Sequence, residues 1–259
     1  MITNPYSNLI YHCTGQGTHN ELYKKVQDET GTPPDLGSLD PAKNPLLLEH
    51  ITDSPLTQKG INQCIEQRSV AKQLNGIELV VVSPLVRALQ TAHITFEDHL
   101  PLYNNNASEE KKEKGKSKKV KWIAHEGIRE EFGTLLCNKR RPLSETMADF
   151  PQVDYSYMTS MEDEDVAWRQ YTEMNANEDG IVKREELVDI SHRAYDFMVD
   201  FVLEREEKEI AIVGHSHYFH SLTNCVLDIG GNTSMTSMFG QAEIRSFELE
   251  FLLNDSSEQ

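Results

Sequence analysis

Five short segments of this chain carry side chains able to do chemistry, and four of them suit an anion. The first is Cys13-Thr14-Gly15-Gln16-Gly17-Thr18-His19-Asn20, directly after the apolar run Leu9-Ile10-Tyr11. A strand that ends in a glycine-containing turn and opens a helix directs backbone N–H groups at one point, which favours phosphate. The second is Ser83-Pro84-Leu85-Val86-Arg87, after the apolar run 78–82. In the first turn of a helix, the planar fork of Arg87 can hold two phosphate oxygens, which a lysine does less well. Read alone, the same pattern also fits a surface arginine. The third is Lys139-Arg140-Arg141, three successive cations that either meet the anionic part of a substrate or form a solvated loop. The fourth is His215, at the end of an apolar run and followed by His217 and His220. A strand-end histidine is equally a satisfied core residue. The fifth, 175–186, places oxygen side chains at positions 1, 3 and 5, Gly180 at 6 and Glu186 at 12, as a calcium loop does. Its first ligand is Asn175 rather than Asp, and it stands alone where such loops normally pair, so the pattern reads as coincidence.

Charge makes the placement of these cations informative. The chain has a formal net charge of −17 over 259 residues. Such a surface disfavours nucleic acid, and an acidic protein must concentrate positive charge locally to hold an anion. Cys13, Cys64, Cys137 and Cys225 are widely spaced with no CxxC pair, which speaks for reduced thiols and against a metal site. No apolar run approaches the ~18–20 residues that span a bilayer, and Met1–Pro5 has neither a basic region nor an apolar core. The expectation is a cytoplasmic protein, nuclear as an alternative, with no membrane partner.

The elements that position these residues follow from pattern. Residues 7–13, 78–82, 120–124, 209–213 and 242–252 read as strands. Residues 20–28, 58–75 (capped by Thr57, with Ile61, Ile65 and Leu74 on one side), 87–94 and 184–205 read as helices. Residues 29–55 read as a long loop and 142–170 as irregular. Strands alternating with helices predict an α/β fold of three layers, a mostly parallel central sheet with helices on both faces. The whole chain, 1–259, reads as one domain. It is interrupted by a low-complexity insert at 104–119, with six lysines between 111 and 119. In such sheets ligands bind beyond the carboxyl ends of the strands, where the anion-suited segments fall.

These segments together resemble the histidine phosphatase superfamily, in its phosphoglycerate-mutase-like plant and fungal branch. Gly15 to Asn20 match the Gly-Gln-Gly-x-His-Asn part of its signature; Ser83 to Ala92 match its second arginine motif; Ile212-Val213-Gly214-His215-Ser216 resembles its second histidine motif. Leu56-Thr57-x-x-Gly60-x-x-Gln63, Cys137 to Arg141 and Ala242 to Ser246 agree. The resemblance implies that Arg87, His215, Asn20 and the Gly15–Gly17 turn bind the phosphoryl group, His215 as imidazolium. It implies that Glu130 is the acid that protonates the leaving oxygen, with a pKa raised by burial, Glu126 and Glu131 remaining rivals. Lys139, Arg140 and Arg141 would be the tentative substrate contacts. No cofactor and no metal is called for. His217 stands where the family usually has a small residue.

Two positions depart from the pattern. Cys13 occupies the place of the phosphate-binding arginine and Thr14 that of the nucleophilic histidine. Loss of a covalent nucleophile costs on the order of 10⁴–10⁶ in rate. His12 lies two residues back along the strand, about 6.5–7 Å away, too far for a simple swap of roles. Cys13 could attack only if the strand end were reoriented. The leading expectation is therefore a degenerate phosphatase that still binds a phosphorylated small molecule or phosphoprotein. Alternatives are an active phosphomonoesterase with an altered nucleophile, and an interaction module with a relic pocket whose lysine insert is the working surface.

Overall fold

The computed structural model describes residues 6–74, 76–99, 120–178, 180–230 and 233–250; the lysine-rich insert at 104–119 lies outside them. Six strands form one sheet: β1 (Tyr6–Cys13), β2 (Leu79–Val82), β3 (Lys121–His125), β4 (Asp154–Tyr157), β5 (Glu209–Gly214) and β6 (Ile244–Glu250). Their order is β4-β3-β2-β5-β1-β6, all parallel except β6, which runs antiparallel along β1. The main helices are α1 (Thr18–Thr30), α2 (Gln58–Ala71), α3 (Val86–Thr95), α4 (Leu143–Asp149), α5 (Val166–Asn175), α6 (Leu187–Asp196) and α7 (Ser216–Ser221).

Alternation along β1 divides the core in two. Leu9, Tyr11 and Cys13 pack with Ile190, Ala194 and Tyr218 of α6 and α7 on one face. Ile10 packs with Ala71, Ala88, Leu89 and Ala92 of α2 and α3 on the other. The four residues of β2 are wholly buried, as a parallel strand covered on both faces requires. At about 1.5–3 kcal/mol per fully buried aliphatic side chain, such strands carry much of the hydrophobic stabilisation.

Three readings needed correction. Strand β4 lies within the stretch read as irregular. It is a four-residue edge strand, Asp-Tyr-Ser-Tyr, of which only Tyr155 is buried, and a bulge breaks its register with β3. The helix expected over 184–205 begins at Leu187, because Glu186 before it is extended and the Glu185 N–H donates to the Phe132 carbonyl instead of entering a helix. It then widens over Phe197–Val202, where Leu203 N–H donates to the carbonyl of Met198 five residues back. In α2, Ile65 is exposed; the buried positions are Gly60, Cys64 and Ala71, since that side lies against the first turn.

That contact explains a whole sequence element. Thr57 caps α2 through Oγ1, which accepts from Gly60 N–H at 3.0 Å, and Gln63 Oε1 accepts from Gln16 N–H at 3.0 Å. Gly60 itself lies against Gln16: a Cβ there would sit 2.2 Å from the Gln16 carbonyl oxygen. Gly60→Ala is therefore expected to lower unfolding stability by at least about 1–3 kcal/mol, the usual cost of overpacking against atoms that cannot yield. Urea unfolding of the variant beside wild type measures this, and an unchanged midpoint would mean that the two backbones part freely.

Candidate functional site

The carboxyl ends of β1, β2 and β5 and the segment after β3 converge on a cleft of about 320 Å³. Cys13, Thr14, Gly15, His19 and Asn20 enter it from the first turn, Arg87 from α3, Glu130 and Glu131 from the segment after β3, and His215 and His217 from the join of β5 and α7. Phe239 and Gln241 close one side. Arg245 fixes that side: its guanidinium donates to the carbonyls of Met235, Ser237 and Met238 and lies 3.9 Å over the Phe239 ring.

Arg87 is positioned by groups distant in sequence. Asp53 Oδ1 accepts from Val86 N–H at 2.8 Å, giving the start of α3 the acceptor that Leu85 lacks. The buried guanidinium then donates from Nη1 to the Cys137 carbonyl at 2.7 Å and from Nη2 to Asn138 Oδ1 at 2.8 Å. Asn138 is neutral, so this partner orients the arginine without cancelling its charge. Arg184, by contrast, pairs with Glu131. Among the described residues lining the cleft, Arg87 is the arginine left without a carboxylate at ion-pair distance.

The glycine turn is not the open N–H cradle that its sequence suggests. Thr14 N–H donates to the Gly214 carbonyl, Gly15 N–H to Thr91 Oγ1, Gln16 N–H to Gln63 Oε1, Gly17 N–H to Asn20 Oδ1 and Thr18 N–H to the Pro55 carbonyl. Every amide from 14 to 18 is used within the protein. The glycines answer instead to close approach: a Cβ on Gly17 would meet the His19 ring at 2.6 Å, and one on Gly15 the Gly60 carbonyl at 2.7 Å. Gly15 lines the cleft; Gly17 lies behind it as the cap of α1.

Electrostatics bear on two expected roles. His215 is buried, shares a 2.8 Å hydrogen bond with Ser83 Oγ, and is held well below the ordinary imidazole pKa by burial and then by Arg87. Both effects disfavour the imidazolium form, and an anion beside the ring would act the other way. Burial alone would raise the Glu130 carboxyl as a general acid needs, but contact with His217, with Arg87 behind it, outweighs burial and holds it well below the usual carboxylate range. Its Oε2 lies 3.6 Å from His217 Nδ1 and 3.4 Å from His217 N–H. The same contact lifts His217 to about 9.

The possible substitute nucleophiles are also located. Burial, reinforced by Glu130, pushes the Cys13 thiol up to about 12, and its side-chain hydrogen bond runs to Thr14. His12 points to the opposite face of the sheet, its Nε2 2.9 Å from Thr95 Oγ1 and its ring edge-on to Phe96; burial lowers it to about 4. His19 is lowered to about 3 by burial and Arg87, with Nδ1 buried and unpartnered.

The three consecutive cations do not line the cleft. Arg140 is buried with its guanidinium on the carbonyls of Arg141, Glu162, Asp163 and Glu164; Arg141 reaches Thr146 and Asp149; Lys139 is half-buried. Arg140 serves the loop before α5 and Arg141 serves α4. In the calcium-like segment, Ala176 pairs antiparallel with Val182, Asn177 Oδ1 accepts from Ile181 N–H, and Glu186 pairs with Lys183. Among the described residues no group of His, Cys, Asp and Glu is arranged to hold a metal, and no helix is long and apolar enough to cross a membrane. Asp53, in the long loop before the Leu56 element, and Asn138, within the Cys137 to Arg141 run, carry no local sign of a positioning role. Their partners lie 33 and 51 residues away, beyond any local pattern.

Comparison with known proteins fits this geometry. The family model of the histidine phosphatase superfamily (branch 1) matches residues 43–110. "Phosphoglycerate mutase-like protein 1" of Arabidopsis thaliana is 32% identical over 228 residues, covering 79% of this chain and 74% of that one. The chain belongs to the histidine phosphatase superfamily. A second Arabidopsis thaliana relative, "Phosphoglycerate mutase-like protein", is 33% identical over 186 residues, 67% of this chain; the match spans 64% of that protein's length. A solved candidate alpha-ribazole-5'-P phosphatase of Escherichia coli superposes with a TM-score of 0.52 at 14% identity, covering 96% of this chain and 97% of that one, and so shares the fold. This histidine phosphatase superfamily member thus keeps the family's mostly parallel sheet and converging loops while carrying Cys13 and Thr14 at the head of its first turn.

Proposed function

We propose that this protein is a degenerate phosphatase: it binds a phosphorylated small molecule, or a phosphorylated side chain of a protein, and hydrolyses it little or not at all. The observation that carries this reading is the state of the first turn. Nucleophilic catalysis needs an activated attacker next to a base. Thr14 offers a hydroxyl of high pKa whose neighbour is a protonated thiol, and the histidine nearest to it in sequence, His12, lies on the other face of the sheet. A phosphothreonine would also lack the leaving-group quality of a phosphohistidine. Binding is supported by the uncancelled charge of Arg87 beside His215, His19 and Asn20 in one cleft. A neutral buried imidazole gains a proton when an anion arrives, so His215 is suited to respond to a ligand rather than to wait charged.

Two measurements test the reading together. Metal-stripped wild type is expected to release no orthophosphate from p-nitrophenyl phosphate above the blank. Orthophosphate itself should raise the melting temperature, since a ligand at 100 times its Kd adds about 2.7 kcal/mol of stability. Turnover of about 1 s⁻¹ or faster, in the ordinary enzymatic range, would favour an active enzyme with an altered nucleophile. Absence of both turnover and protection would favour a relic pocket.

A further inference from the structure

We propose that His217 is the second anion contact of the cleft, replacing the guanidinium lost at position 13, and that Glu130 occupies it until a tetrahedral oxyanion enters. The inference rests on the phosphate-pocket reading and adds to it the residue that supplies the missing charge and the carboxylate that competes for it.

The geometry has three parts. His217 lines the same cleft as Arg87 and Cys13, with its side chain 45% exposed, so a ligand can reach it. The Glu130 carboxylate, 9% exposed, presents one oxygen, Oε2, to both the ring Nδ1 and the backbone N–H of His217. Those are the donors an anion would use. Charge then follows from placement. Glu130 faces His217, His215 and Arg87, and His217 faces Glu130, Glu131 and Arg184. Glu131 is already paired with Arg184, which leaves Glu130 as the partner that keeps His217 protonated, at about 9. An incoming oxyanion would take the place of Glu130 opposite His217, and Glu130, then beside a like charge, would take up a proton. The neutral His215 and His19 would be drawn toward protonation by the same anion.

Sulfate is the probe, because its charge is constant across the working range whereas orthophosphate titrates. Binding is read by calorimetry, with melting curves to show that each variant is folded. Wild type should bind sulfate more tightly as pH falls from 8 to 6. At pH 6.0, Glu130→Gln should bind sulfate at least about tenfold more tightly than wild type, because the competing charge is gone while the freed imidazole, ordinarily near 6.5, still carries its proton. That advantage should fade toward pH 8, where His217 without its carboxylate is neutral. Adding His217→Ala to Glu130→Gln should weaken sulfate about tenfold at pH 6.0, which a merely structural role for His217 would not do. The inference is overturned if Glu130→Gln binds no more tightly at pH 6.0, or if removing His217 from that background leaves affinity unchanged. Sulfate binding by wild type with either of those results leaves the phosphate-pocket reading in place. No binding by any of the proteins removes that reading, and this inference with it.

Discussion

Cys13→Arg together with Thr14→His is expected to raise phosphomonoester hydrolysis by at least about 10³-fold over wild type, with a phosphohistidine detectable on quenching. The size follows from what the two groups do in the family mechanism. A missing covalent nucleophile costs on the order of 10⁴–10⁶, and a buried phosphate-arginine contact about 2–5 kcal/mol. The rest of the cleft is assembled: Arg87 is oriented by Cys137 and Asn138, His215 by Ser83, and Glu130 lies within the same hollow. Counter-charges for a new guanidinium also exist, since Glu130 and Glu243 already act on the Cys13 thiol. Single substitutions should each recover less than about a tenth of the double, because an attacker without an anchor and an anchor without an attacker each leave the reaction without a part that acts jointly. A folded double variant no faster than Thr14→His alone, or one yielding no phosphoenzyme, would mean that the cleft has lost more than these two groups.

The same residues show which parts of the site could be read in the sequence. Arg87, His215 and Glu130 were legible because each follows an apolar run that becomes a parallel strand, and such sheets deliver the residues after their strands to one end. The Thr57, Gly60 and Gln63 spacing was legible as a pattern but not as a reason; the reason is a close approach to Gln16 across 41 to 47 residues. What a turn's N–H groups bond to was not legible at all. Gly15 is satisfied by Thr91, 76 residues away, so a run that looks like a phosphate cradle is spent on internal packing. Charge states depend on neighbours that no local pattern shows: His217 is the main partner that lowers Glu130 against burial, and burial followed by Arg87 lowers His215. Strand β4 was missed because three of its four residues face water, so it carries no apolar signal. Arg140 and Arg141 looked like substrate contacts because they stand in a run of three cations in an acidic chain; the carbonyls of Arg141 and of the loop before α5 take up the first and α4 the second.

Arg129→Met is expected to destabilise the fold by about 3–5 kcal/mol at pH 7 and to disturb the cleft it never touches. Arg129 is fully buried, and its two terminal nitrogens grip the two Asp165 oxygens at 2.8 Å each, with Glu126 at 2.5 Å and the Asn138 carbonyl at 2.6 Å. Methionine approximates its length but leaves Asp165 buried with only the Arg140 and Trp168 N–H groups as partners. Removing one member of a buried pair is costly because the other remains charged and desolvated. Asn138 would lose the contact on its carbonyl, and Asn138 is what holds Nη2 of Arg87, so phosphate protection should weaken together with stability. The pH dependence carries the sign. Burial alone would raise Asp165, but Arg129 holds it below the ordinary carboxylate value. The stabilisation it contributes is therefore present above the unfolded value, near 3.9, and is lost as pH falls through the lower folded value. In Arg129→Met the folded carboxyl rises instead, so the deficit against wild type should be largest near neutrality and shrink as pH falls toward about 4, where the orphaned acid takes a proton. Asp165→Asn added to Arg129→Met should recover part of the loss at pH 7, since it removes the stranded charge. Urea unfolding at pH 7 and pH 4 on the three proteins measures all of this. A loss below about 1 kcal/mol, equal at both pH values, would show that the buried guanidinium is not what holds Asp165 and Asn138 in place.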